Sequence, residues 1–139
     1  MSRPSYDDTR DIPLTTDSEI EDRIGQLLGT ANQRQLWLIL LDDRDQQLPL
    51  LIPIDGMPVR PPHLDDSGLG PAFQLLVDEY DVAAFVVVLE RFASAELQNG
   101  DREWARVIDA TCSEIGVPLR AVVVLHADGT RWLAPDDYA

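Results

Sequence analysis

Two apolar runs dominate the second half of the chain, Ala83–Leu89 (Ala-Ala-Phe-Val-Val-Val-Leu) and Ala121–Leu125 (Ala-Val-Val-Val-Leu). Both are short, lack polar alternation and are rich in β-branched residues, which predicts strands buried on both faces. Between them Trp104, Val107, Ile108, Thr111, Cys112 and Ile115 recur every three or four residues, the spacing of one helical stripe. Asp101, Arg102, Arg106, Asp109, Ser113 and Glu114 fall on the other side. Asn99 or Asp101 suits the start of that helix, and Gly116 with Pro118 its end. Strand, helix and strand at this spacing predict a right-handed βαβ unit whose two strands are parallel neighbours.

Upstream, Thr16 with Glu19 and Ser18 with Glu21 form overlapping capping boxes, and Ile20, Ile24, Leu27 and Leu28 continue as a helical stripe to about Gly29 or Asn32. Leu36–Leu41 is apolar throughout and reads as a strand buried on both faces. A polar turn, Asp42–Gln47, leads into a second strand, Leu48–Ile54, weakened by Pro49 and Pro53, which belong at edges or bulges. Asp55–Pro71 is a long loop, and Phe73, Leu76, Val77 and Tyr80 mark a short amphipathic helix. After the second buried strand, Asp128-Gly129 suits a type I′ hairpin into a short edge strand, Arg131–Ala134, followed by a polar tail, Pro135–Tyr138.

These elements predict an α/β fold: a three-layer αβα domain with a mixed sheet of about five strands, an N-terminal antiparallel hairpin and a parallel βαβ unit. Residues 1–15 carry little to bury and read as a loosely attached arm, with residues 16–139 as one domain. A chain of this length buries roughly 68% of the surface its unfolded form exposes.

Composition narrows the setting. The net charge of −14 argues against nucleic acid or an anionic membrane as partner, because phosphate binding needs clustered basic residues. It permits a basic protein partner, and it also serves solubility through self-repulsion. All eleven basic residues are arginine, a habit of high-GC bacterial genomes. A single cysteine precludes an internal disulfide and, with no secretory or membrane-length apolar segment, is consistent with a cytoplasmic protein.

The order of elements resembles the RadC and JAB/MPN-type (JAMM) scaffold, within the cytidine-deaminase-like architecture. In that family a buried strand ends in His-x-His-Pro, and ten residues later an Asp opens the next helix. Here Glu90 occupies the second histidine position, Val88 the first, Arg91 replaces the proline and Asp101 opens the helix. The resemblance covers about residues 36–134 and implies a degenerate, non-catalytic version. A catalytic zinc takes about three protein ligands and an open position, and Val88 cannot ligate.

Glu90 and Arg91 end the first buried strand, where open α/β sheets commonly bind ligands. With Asp101 and Trp104 they make a candidate ligand cleft, read against a salt-bridged strand end, a helix cap and a core tryptophan. Cys112 lies on the buried stripe and reads as a small core residue. His126 with Asp128 is a candidate acid/base pair or a hairpin turn, and His63 with Asp65 and Asp66 a loop cluster or a metal contributor. Ser67–Gly70 is too short for a phosphate loop, and no motif implies a cofactor. Trp132 on an edge strand is a candidate interface residue. The leading expectation is a non-catalytic domain acting through contact with a protein partner or as a homodimer. The alternatives are a hydrolase using Glu90, Asp101 and a histidine, and a small-ligand module at the same cleft.

Overall fold

A computed structural model describes residues 14–61 and 68–138 of the chain. Its elements run α1 (Asp17–Leu28), β1 (Gln35–Leu41), β2 (Gln47–Asp55), α2 (Leu69–Tyr80), β3 (Ala84–Glu90), α3 (Asn99–Ile115), β4 (Leu119–His126), β5 (Gly129–Leu133) and α4 (Pro135–Tyr138). The five strands form one mixed sheet in the order β2-β1-β3-β4-β5. The pairs β1–β2, β1–β3 and β4–β5 are antiparallel, and β3–β4 is parallel. The α/β architecture, the N-terminal hairpin and the parallel βαβ unit are those the apolar pattern predicts.

Continuous apolar strands require a core on each face, and two cores are present. Leu36, Leu38, Phe85, Val87, Val122 and Val124 pack towards α2 and α3, against Phe73, Trp104 and Ile108. Ile39, Leu41, Val86, Val88, Val123 and Leu125 turn the other way, against Ile20 and Ile24 of α1. Alternation along each strand thus divides every apolar run between the two layers. Phe73 and Phe85 stack with centroids 4.8 Å apart.

The local signals hold at most termini. Thr16 caps α1 by accepting from the Glu19 N–H, while the Glu19 carboxylate accepts from the Thr16 N–H. Gly116 takes the left-handed conformation after α3, with φ 74°. At the free edge, β3 fixes which way backbone groups point. Phe85 and Arg91 donate to Pro118 and Leu125, so odd positions of β3 bond to β4 and even ones to β1. Carried through the pairs Val88↔Trp37 and Trp37↔Pro53, that alternation turns the missing donor of Pro53 to the open side of β2.

Several expectations need correction. Leu14, assigned to the arm, is 1% exposed and donates its N–H to the Asp45 carbonyl, so it belongs to the packed region; residues 1–13 of that arm lie outside the described residues. α2 begins at Leu69, inside the expected loop. The tail 135–138 is a helical turn whose Tyr138 is buried, held by Arg106 Nε donating to its carbonyl. The β4–β5 turn residues are Ala127 and Asp128, since His126 pairs with Gly129. Neither has positive φ, so this is not the expected type I′ turn at Asp128-Gly129, which needs φ > 0 at both central residues.

Candidate functional site at the end of the central strand

Strand β3 is the middle of five, and the chain leaves it at Glu90 and Arg91, on the edge of both cores. Alternation sends the two side chains in opposite directions. Glu90 continues the α1-side row of Val86 and Val88, where it meets β1; Arg91 turns to the α3 side.

Glu90 is 4% exposed and its carboxylate accepts from four donors. Oε1 takes Gln35 Nε2 at 2.7 Å and Trp37 Nε1 at 2.8 Å. Oε2 takes the backbone N–H groups of Asn32 and Gln33, the latter at 3.0 Å. Burial alone would raise this carboxyl, but the bonds from Asn32, Trp37, Gln33 and Gln35 together outweigh it and hold it below the usual range. The group is therefore an ionised acceptor with its lone pairs committed. It fastens the α1–β1 connection to the central strand.

Arg91 is 1% exposed. Its Nε and Nη2 grip the Asp101 carboxylate at 2.8–3.1 Å. Nη1 donates to the carbonyls of Phe92 and Ser94, and Nη2 also to that of Glu96. All five N–H groups are used. Asp101 in turn accepts from the Gln98 N–H at 2.9 Å, which identifies it as the third residue of α3 closing back on Gln98. The cap expected at Asn99 or Asp101 thus starts at Gln98. The loop so wrapped around Arg91 contains Ala93 at φ 80°, the left-handed region that an alanine seldom enters.

Trp104 is 5% exposed and donates its indole N–H to the Pro58 carbonyl at 2.9 Å. This holds the segment after β2 across the start of α3. Arg60 and Glu103 reinforce it by a two-pronged ion pair at 2.6 and 2.8 Å. Gly100 is needed beneath: a Cβ there would stand 2.4 Å from the Val59 carbonyl oxygen.

The structure thus brings Glu90, Arg91, Asp101 and Trp104 together, with Met57 and Pro58, around a cavity of about 20 Å³. That is room for about one water. His126 lies on β4 in the row of Val122 and Val124, the face opposite Glu90. The Asp128 N–H donates to its Nδ1 at 3.1 Å, a contact within the hairpin. Its Nε2 is buried with no hydrogen-bond partner among the described residues. His63, Asp65, Asp66 and Ser67 lie outside the described residues. Among those described, no three His, Cys, Asp or Glu side chains gather as a metal-binding group. Cys112 is in the core, and burial first, then Asp109, pushes its thiol up to about 12. Trp132 is half-buried over the α1-side core.

Sequence reasoning missed Gln35, Trp37 and the Asn32–Gln33 backbone. One signal was present: a tryptophan inside a buried strand needs an acceptor for its indole N–H, and Glu90 is the nearby acid that ends an apolar run. No family model matches the chain, and no curated protein matches it.

Proposed function

We propose that this domain is a non-catalytic module that acts by binding another protein. The observation that carries the reading is the state of Arg91. A cation at the C-terminal end of a central strand is well placed to meet a substrate, yet every one of its donors is spent inside the chain. The adjoining space of about 20 Å³ is far below the ~300–1,000 Å³ of small-molecule sites. Glu90, with four donors on its oxygens, has no lone pair to offer a proton in transit.

The same reading covers the resemblance to the RadC and JAB scaffold as a non-catalytic relative. Val88, at the first histidine position, is fully buried, and Glu90, at the second, serves as a structural acceptor. The net charge of −14 favours a partner with a basic contact surface.

The test is the native mass of the chain in extract from its own cells, followed by size exclusion with light scattering. We expect elution in a complex heavier than the 15.5 kDa chain, with a second protein recovered in fixed proportion after crosslinking. A lone 15.5 kDa species in that extract overturns the reading.

A further inference from the structure

Strand β5 pairs with β4 only from Val122 onward, so the start of β4 has no neighbour on that side. The chain turns there into α4, whose Tyr138 packs into the α3-side core. Between these elements lies a depression of about 440 Å³, lined by Arg106 and Asp109 of α3, Leu119 of β4, and Pro135 and Tyr138 of α4. Leu119 pairs with Phe85, at the opposite end of β3 from Glu90, so this space is separate from the packed strand end. Unlike the cavity there, it falls within the ~300–1,000 Å³ of small-molecule sites.

Its polar groups are uncommitted. Arg106 and Asp109 are exposed and three residues apart, on one face of α3, where opposite charges ordinarily pair. Here Arg106 gives its Nε to the Tyr138 carbonyl at 2.6 Å instead. Its guanidinium makes no other bond among the described residues, which leaves four N–H groups unused. The Asp109 carboxylate makes none either, and neither does the Tyr138 hydroxyl. Tyr138 is only 8% exposed, and a phenol so buried ordinarily finds a partner. Burial first, then Asp109 and Cys112, push that phenol up, which sets its hydroxyl near α3 and keeps it a donor. The apolar part of the wall is the half-buried Leu119 with the exposed Pro135.

We infer that this depression binds a small zwitterion with an apolar side chain, of the class of an aliphatic α-amino acid. Its carboxylate meets the terminal N–H groups of Arg106 and the Tyr138 hydroxyl, its ammonium meets Asp109, and its side chain lies against Leu119 and Pro135. An unpaired cation and an unpaired anion one helical turn apart select a ligand carrying both charges. A simple anion would meet Asp109 and the field of a chain of net charge −14. A simple cation would meet Arg106, whereas a net-neutral zwitterion satisfies both groups. The inference goes beyond the protein-binding reading and does not depend on it.

The experiment titrates three probes into the ¹⁵N-labelled full chain at low salt: L-leucine, 4-methylpentanoate, which lacks the ammonium, and isopentylamine, which lacks the carboxylate. Leucine should give saturable shifts centred on the amides of Arg106, Asp109, Leu119 and Tyr138 and on the Arg106 Nε–H. Each truncated probe should bind about threefold or more weakly. Asp109→Asn, at an exposed position, should weaken leucine by about three- to fivefold without weakening 4-methylpentanoate, a split that mere loss of structure would not produce. Tyr138→Phe should weaken leucine and 4-methylpentanoate alike by about two- to tenfold and leave isopentylamine unchanged. The ligand series is read on the unaltered chain, so it holds even if a variant fails to fold. No saturable shift with leucine, equal or tighter binding of either truncated probe, or shifts centred elsewhere would each overturn the site. A lone chain in the native extract would sink the protein-binding reading and leave this site standing.

Discussion

At the residue scale the strand end is held by two buried charges with opposite roles, and each supports a prediction. Glu90 divides its oxygens between two pairs of donors: Gln35 and Trp37 on one, Asn32 and Gln33 on the other. Glutamine keeps one acceptor oxygen but turns an NH₂ towards the other pair. With about 1–3 kcal/mol for each buried donor left unpaired, Glu90→Gln is expected to lower stability by about 2–4 kcal/mol at pH 7. The pH dependence has a fixed sign. A carboxyl held below its ordinary value of 4.5 stabilises fully above that value and loses its contribution as pH falls through the lower folded one. The gap between wild type and variant in urea unfolding should therefore narrow between pH 7 and about pH 3; a constant gap would mean the carboxylate's charge is not what the donors bind. Ala93 gives the opposite case, a residue the fold strains. The left-handed conformation costs an L-residue about 1–2 kcal/mol, more than the ~0.5–1 kcal/mol of extra chain entropy that glycine surrenders. Ala93→Gly should raise the unfolding free energy from urea titration by a net of about 0.5–1 kcal/mol, and a lower value would show that the methyl group makes contacts worth more than the strain.

At the scale of elements, what stabilises the site is the docking of one connection on another. The segment after β2 crosses the first turn of α3, with its Pro58 carbonyl on Trp104 and its Val59 carbonyl over Gly100. Gly100→Ala forces that backbone to move, because 2.4 Å is too short for any carbon–oxygen contact. A cost of about 1–3 kcal/mol is expected, together with loss of the Trp104 indole bond, visible as an upfield shift of its N–H resonance. An unshifted indole would place the relaxation elsewhere. This docking explains why the elements were legible in the sequence while the site was only half so. Periodicity reports which face of an element meets a core, so Phe85 to Leu89, Val122 to Leu125 and the Trp104–Cys112 stripe gave the strands, the helix and their parallel relation. Glu90, Arg91, Asp101 and Trp104 stood out because polar groups at the end of an apolar strand break the pattern. Their partners did not, since Asn32 and Gln33 act through backbone N–H groups, which every residue but proline has, and Pro58 through a carbonyl. The β4–β5 turn failed for a related reason. Asp-Gly is a strong local signal, but the register of β4 against β5 shifted the loop back by one residue.

For the whole molecule the governing quantity is the surplus of acid, 25 Asp and Glu against 11 Arg, and its effect on stability can be tested by salt. Two contributions compete. Added salt weakens surface ion pairs such as Arg60–Glu103 and Arg120–Asp17, which are worth about 0–1 kcal/mol each. It also weakens repulsion among the surplus carboxylates, which acts over the whole surface at separations near the ~10 Å screening length of 0.1 M salt. The buried pair Arg91–Asp101, with both side chains at 5% exposure or less, lies out of reach of the ions and contributes little to the difference. A net charge of −14 against a few weak pairs puts the balance on the side of repulsion. The thermal midpoint is therefore expected to rise between about 10 and 200 mM NaCl by roughly 3–6 °C, the equivalent of about 1–2 kcal/mol for a chain of this size. The rise should then level off once the screening length falls below the spacing of the surface charges. A midpoint that falls over the same range would mean that the arginines are arranged among the acids well enough to outweigh their deficit in number. The surface would then carry less negative potential than its composition implies, and a basic partner would gain correspondingly little from it.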